Sequence, residues 1–319
     1  MASKNPRTVF LGVDGGGSQA RAVLEESGRL WGRVEPFGLN PCDIDRVEFA
    51  TRLGSLLDPL LSRLRKSRVT IDACFALAGA GDPSIARRCV RAASRVLAEY
   101  GRPGKLFVTT DAGALVDTCL VDRGGVILLA GTGSVCFSVE CASGQRSIYQ
   151  TGGEGGILDE GSAFRMGTAL LSHALRTAGR PALADRSIEL LCERQGISLA
   201  RVPVRFVPPC RAEIASLARI VLDACAEGDE FARSMVARSV RDLVEMVESA
   251  AAAARLGSKF DLFLSGGLFQ NATFRRHFLA RLGRRIPSAS AHRVCDAALA
   301  ALAIAHRPAE GKTSKRAAR

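Results

Sequence analysis

The first clear pattern along the chain is a solid apolar run, Thr8–Val13 (TVFLGV), stopped by a charge and a glycine-rich segment, Asp14-Gly15-Gly16-Gly17-Ser18. An unbroken run of this length bounded by turn residues predicts a buried strand. A second extended run (Gln19–Glu25), a Ser27-Gly28 turn and a third run (Leu30–Val34) complete a strand–loop–strand–turn–strand meander. The period then changes. Val47, Ala50, Leu53, Leu57, Leu60, Leu61 and Leu64 recur every three or four residues, the apolar stripe of a helix lying on a core. Ile71–Ala78 reads as a strand ending in Gly79-Ala80-Gly81. Asp82 and Pro83 read as the N-cap and first residue of a helix, and Lys105–Thr110 as a strand terminated by Asp111.

The opening pattern then recurs. Gly125–Ala130 is a second buried run, Gly131-Thr132-Gly133-Ser134 a second glycine loop, and Val135–Val139 a following strand, which hints at two related halves facing one ligand. Gly152–Gly156 and Gly161 bracket Asp159-Glu160, and a helix follows to about Ala178, with Phe164, Leu170, Leu171, His173, Ala174 and Leu175 on or near one face. A long amphipathic helix over roughly Asp229–Ala254 carries Phe231, Met235, Val236, Val240, Leu243, Val244 and Val247 as a packing stripe. Asp261–Leu264 makes a strand ending at Ser265-Gly266-Gly267, the third strand–glycine junction, and Asp296–Ala305 is a last small-residue helix.

Composition narrows the class. With 319 residues, 47% hydrophobic and 24% charged, the chain can bury a core and has room for two domains. No apolar run reaches the ~18–20 residues that span a bilayer, and the N-terminal run is too short and too soon charged for a signal peptide, so a soluble cytoplasmic protein is expected. Ten cysteines, at 42, 74, 89, 119, 136, 141, 192, 210, 225 and 295, form no CxxC pair and share no ligand spacing with the four histidines. Reduced, mostly buried thiols are expected rather than disulfides or zinc. The net charge of +12 favours anionic partners, yet the arginines are scattered and aromatics are only 5%, which argues against nucleic acid. The one dense basic run, after His306, reads as a disordered tail.

Glycines that end buried strands let backbone N–H groups approach phosphate oxygens with no Cβ in the way. Here neither common phosphate loop fits: no helix opens at the first glycine loop, and no Lys-Ser or Lys-Thr closes it. Three such junctions nevertheless suggest a nucleotide phosphate site, with Asp14 placed to hold Mg²⁺ directly or through water, and Thr132 and Ser134 offering hydroxyls. Asp111, at a strand tip before small residues, can take a proton from a substrate hydroxyl, or can cap a helix over 112–120.

Taken together, DGGGSQAR (14–21), TTDAG (109–113), LLAGTGS (128–134), GGEGGILDEGS (152–162) and LSGGLF (264–269) resemble the N-acetylglucosamine kinase branch of the BadF/BadG/BcrA/BcrD ATPase family, within the actin–hexokinase–Hsp70 superfamily. The five segments occur in order over about residues 8–305. The resemblance implies an α/β fold of two ribonuclease H-like (actin-like ATPase) domains, 1–115 and 116–307, with ATP in the cleft between them. The tail is 308–319, and the helix over 296–305 belongs to a type that often packs back on the N-terminal domain. It also implies that Gly15, Gly16, Gly17, Ser18 and Gln19 form the first phosphate motif, Gly131, Thr132 and Gly133 the second, and Gly266 and Gly267 the adenosine motif. Asp111 aligns with the catalytic base, Asn40 and Asp159 with sugar contacts, and Ser134, Gly153 and Glu154 complete the expected acceptor side.

The activity so implied is ATP- and Mg²⁺-dependent phosphorylation of an amino sugar, N-acetylglucosamine or glucosamine; a homodimer is compatible with it. Three departures touch the acceptor side. Glu154 stands where that branch has a tryptophan, the segment before Asp159 is one residue shorter, and Val135 replaces an asparagine that touches the sugar. Glu154, if it lines the pocket, would suit a cationic acceptor such as glucosamine. Two alternatives stay open: an ATPase activator of a CoA-ester reductase or dehydratase, for which Cys119, Cys136 and Cys141 lie near the required region, and a non-catalytic nucleotide sensor.

Overall fold

Ser27 and Gly28 both adopt positive φ, 51° and 76°, the two-residue turn whose twist matches the right-handed twist of the strands it joins. They connect β2 (Ala20–Glu26) to β3 (Arg29–Glu35), and β1 (Arg7–Gly15) pairs with the other side of β2 in the register Phe10↔Glu25 to Gly15↔Ala20. These elements come from a computed structural model that describes residues 7–65, 68–121, 124–142, 145–155, 158–180, 184–206, 210–257, 259–292 and 296–308. The basic tail from 309, Cys295 and Gly156 lie outside the described residues.

The chain divides into two units, one of residues 1–121 with 295–319, the other of residues 122–294. In the first, β4 (Val69–Leu77) lies parallel to β1, and β5 (Arg102–Thr109) parallel to β4, giving the order β3-β2-β1-β4-β5. β4 is buried almost end to end, as a central strand covered on both faces must be. Helix α1 (Arg46–Leu61) starts at Asp45, whose carboxylate accepts the N–H groups of Val47 and Glu48, and buries Phe49, Leu53, Leu56, Leu57, Leu60 and Leu61. Asp82 caps α2 (Pro83–Leu97) as the sequence predicts, with proline at the first position. Thr110 caps α3 (Asp111–Cys119). The C-terminal helix Ala297–Ala305 packs on β1 in this unit. Gly12 is what admits it, because a Cβ there would stand 2.2 Å from the Ala298 carbonyl oxygen and 2.4 Å from the Leu302 nitrogen.

The second unit repeats the plan. β6 (Gly125–Ala130) is central, β7 (Ser134–Ala142) and β8 (Gln145–Gly152) meander antiparallel to one side, and β9 (Phe260–Ser265) and β10 (Ala289–His292) lie parallel on the other. Between β8 and β9 run α4 (Ala163–Thr177), α5 (Arg186–Gln195), α6 (Val202–Arg205), α7 (Arg211–Ser216), α8 (Ala218–Glu227) and α9 (Glu230–Ala253). Then α10 (Gly267–Gln270) and α11 (Ala272–Arg285) lead from β9 to β10. The long helix α9 buries Val236, Val240, Leu243, Val244 and Val247 of its expected stripe.

The cysteines differ from expectation. Cys74, Cys89, Cys136 and Cys225 are buried, but Cys42, Cys141 and Cys210 are exposed; Cys141 is the next-to-last residue of β7, opposite Arg146 of β8. All nine described cysteines are free thiols.

Candidate functional site

In the first unit the site begins where β1 ends. The β1–β2 loop turns through Gly16, Gly17, Ser18 and Gln19, closed by the Gly16 N–H donating to the Gln19 carbonyl at 3.1 Å. The loop rests on the 38–40 segment: Leu39 N–H donates to the Gly16 carbonyl at 3.0 Å, and a Cβ on Gly38 would be 2.3 Å from the Gly17 oxygen. Glycine at 38 therefore allows backbone to approach backbone, and Gly15 is packed against the Leu77 and Leu39 side chains, which leaves Gly16, Gly17 and the exposed Ser18 and Gln19 as the outer rim.

Asp14 sits just before this loop, half-buried. Its carboxyl is pushed up from 3.8 to about 7, first by burial and then by the negative charges of Asp111 and Asp296, with the Arg21 guanidinium opposing. Asp111 is held above the usual carboxylate range by burial, while the Ala112 N–H, donating to its Oδ1 at 2.9 Å, works the other way. The expectation that Asp111 caps its helix needs correcting: Thr110 Oγ1 accepts the Gly113 N–H at 2.8 Å, so Asp111 is the first helical residue and its carboxylate is spared the cap. Strand β1 and helix α3 thus bring two predicted site residues, Asp14 and Asp111, within electrostatic reach.

Asn40 is engaged locally. Its Nδ2 donates to Asp43 at 2.8 Å, its Oδ1 accepts the Cys42 N–H at 3.0 Å, and Gly79 leaves the space its carboxamide fills. It lies one residue past Leu39, on the segment that supports the glycine loop.

In the second unit the other two glycine junctions come together. A Cβ on Gly131 would be 3.6 Å from the Gly267 nitrogen and 4.0 Å from the Gly266 Cα, so the tips of β6 and β9 are neighbours. Gly266 has φ of 102° and its Cβ would collide with the Ala130 carbonyl oxygen at 2.3 Å, which restricts that position to glycine. Next to Gly267 a Cβ would meet nothing within 4 Å. The Gly131 and Thr132 carbonyls accept the N–H groups of Ala163 and Phe164 at the start of α4, which ties the second glycine loop to that helix.

The acceptor-side residues are more committed than expected. Ser134 is buried and its Oγ donates to the Glu160 carbonyl at 2.6 Å. Asp159 is only 2% exposed, and both of its oxygens are taken: Oδ1 accepts the Gly155 N–H at 2.8 Å and Oδ2 accepts Arg211 Nη2 at 2.6 Å. Burial raises its carboxyl, against the Gly155 N–H and Arg211, while Glu154 adds to the rise. Gly153 and Glu154 are exposed, and Val135 is half-buried beneath Gly153.

Three residues that sequence reasoning did not select belong to these clusters. Arg21 is opposite Asp14 in the β1–β2 register and pairs with Asp296 at 2.7 Å. Counting back from the four-residue loop would have found Arg21; Asp296, 275 positions away, is visible only in the fold. Arg211, first residue of the short helix α7, carried no sequence signal at all. Among the described residues no three His, Cys, Asp or Glu side chains are grouped to hold a metal. A Mg²⁺ that arrives with a triphosphate and keeps its waters needs only one or two carboxylates from the protein, and Asp14, half-buried among like charges, is a donor that a cation would relieve.

Two five-stranded sheets of one strand plan define the class: an α/β protein of two actin-like ATPase domains. The fold is shared with a ROK family glucokinase from Streptomyces griseus (TM-score 0.56, 15% identity, 93% of this chain and 98% of that one). It is shared more closely with a provisionally named N-acetylglucosamine kinase from Chromobacterium violaceum (TM-score 0.71, 19% identity, 94% of this chain and 99% of that one). The chain belongs to the BadF/BadG/BcrA/BcrD ATPase family, whose family model matches residues 11–301. It is also 26% identical over 277 residues to the N-acetylmuramic acid/N-acetylglucosamine kinase of Clostridium acetobutylicum, covering 83% of this chain and 86% of that protein.

Proposed function

We propose that this protein is an ATP-dependent kinase acting on a hydroxyl of an amino sugar, of the N-acetylglucosamine or N-acetylmuramic acid type. The observation that carries the reading is the Asp14–Asp111 juxtaposition at the mouth of a glycine loop, in a family of ATPases with a sugar kinase among its relatives. Phosphoryl transfer demands little covalent chemistry of a protein; it demands in-line positioning and charge neutralisation. The Gly15–Gln19 loop of the first unit, and the Gly131–Gly133 and Gly266–Gly267 junctions of the second, are assigned to the nucleotide. Mg²⁺, held through Asp14, would supply charge neutralisation on the phosphates when bound.

Asp111 is assigned as the base that orients the acceptor hydroxyl and takes its proton. A carboxyl raised by burial is a better proton acceptor than an ordinary one, and such a base contributes roughly 10²–10⁴-fold. On the acceptor side the exposed Glu154 and the half-buried Arg211 are assigned to the sugar, with Asp159 holding Arg211 from behind. Asn40 and Ser134 are assigned to the acceptor side, each through the segment it braces within its own unit.

The test is ADP release measured across N-acetylglucosamine, N-acetylmuramic acid, glucosamine, hexoses and polyols, with and without Mg²⁺. An amino sugar should stimulate release, and Asp111→Asn should lower that stimulated rate by about 10²-fold or more while ATP binding persists. Unchanged turnover in Asp111→Asn, or no acceptor among the amino sugars, refutes the reading.

Of the three thiols named for the activator alternative, Cys141 is exposed and Cys119 half-buried. Cys136 is fully buried and its thiol is pushed far up by burial, the opposite of an accessible cluster ligand.

A further inference from the structure

One carboxylate in the first unit joins two elements that are far apart in sequence. Asp296 Oδ1 accepts the N–H groups of Ala298 (2.9 Å) and Leu299 (3.3 Å) and so caps the C-terminal helix. Its Oδ2 accepts Arg21 Nη1 at 2.7 Å. Arg21 is the cross-strand partner of Asp14, and its charge acts on the Asp14 carboxylate. The Nε of the same guanidinium is buried with no partner among the described residues. The helix that presents Asp296 is itself fixed in place, since it lies directly on β1 over Gly12.

Arg21 therefore stands between two acids. Were it released from Asp296, its cross-strand partner Asp14 would be open to it, and a close Arg21–Asp14 pair would occupy the oxygens a divalent cation needs. We propose that Asp296 is a positioning residue that holds the Arg21 guanidinium away from Asp14, keeping Asp14 available to Mg²⁺. Arg21 is then both the charge that steadies Asp14 and its latent competitor. This inference rests on the assignment of Asp14 made above and concerns how the chain protects that donor.

The test uses the full chain and reads nucleotide binding, not turnover. ADP affinity is measured by calorimetry in EDTA and in MgCl₂, and the ratio of the two constants is the Mg²⁺ enhancement. Asp296→Ser keeps a capping side chain but is too short to reach Arg21. It should reduce the enhancement about tenfold while ADP binding in EDTA stays near wild type. Removing the competitor as well, in the double variant Arg21→Met with Asp296→Ser, should restore the enhancement, a recovery that a merely structural role would not give. Thermal scans of each variant establish that it is folded. An undiminished enhancement in Asp296→Ser, or a double variant no better than the single one, overturns the proposal. A wild-type protein that binds ADP with no Mg²⁺ enhancement would remove the Asp14 assignment itself, and this inference with it, while leaving the nucleotide site standing.

Discussion

Replacing Asp14 by asparagine isolates the electrostatic cost of the acidic cluster. The folded carboxyl titrates near 7 rather than 3.8 because it is buried beside Asp111 and Asp296. Below about pH 4 the group is protonated in both folded and unfolded chains, so the variant and the wild type should be equally stable. Between 4 and 7 the unfolded chain gives up its proton while the folded one keeps it, so wild-type stability falls as pH rises. Above 7 both are ionised and the deficit is complete. A difference of about three pH units corresponds to about 4 kcal/mol, an upper bound because relaxation and water entry soften it; about 2–4 kcal/mol is expected. The assay is urea unfolding of both proteins in EDTA at intervals from pH 4 to 8.5. Asp14→Asn should become progressively more stable than wild type across that window, and then level off. Parallel pH profiles, or a variant less stable at pH 8, would refute the claim that Asp14 carries a buried, repelled charge.

Other expectations follow from close contacts and buried pairs. Gly12→Ala should lower stability by about 2–4 kcal/mol in thermal melts, because its Cβ would strike the backbone of the C-terminal helix at Ala298 and Leu302. Arg211→Met should cost about 1–3 kcal/mol by leaving the Asp159 carboxylate buried with a single N–H donor, and adding Asp159→Asn should recover part of the loss in a double-mutant cycle. Glu154→Gln should lower kcat/KM for glucosamine relative to N-acetylglucosamine by a few-fold; an unchanged ratio would show that this exposed carboxylate does not face the acceptor.

The parts of the fold that pattern alone discloses are those with continuous burial or strict helical period. β1, β6 and β9, each ending at a glycine, were readable because buried strands are solid apolar runs, and the helix over Glu230–Ala253 was readable to within a residue at each end. β8 and β10 were not, since they are sheet-edge strands whose residues are mostly exposed and polar, so no alternation marks them. The helices α5 to α8 are short and carry their buried positions in scattered groups. At the site, Asp14 and Asp111 were legible from their places at strand tips, whereas the capping Thr110 won over Asp111 through backbone geometry that residue type does not encode. Arg211 and Asp296 act through tertiary pairing alone, across 52 and 275 positions.

The residues that complete the first sheet's packing are made only after the whole of the second unit. The second unit, residues 122–294, emerges entire before Ala297–Ala305 exists, and until then β1 has no cover over Gly12. Translation order and assembly order are thus inverted for the two halves: the later-encoded unit is free to fold while the earlier one waits with an uncovered apolar strand. A stall or premature stop shortly before codon 296 would release a chain whose first half is incomplete, and that half is the natural place for a chaperone or protease to engage.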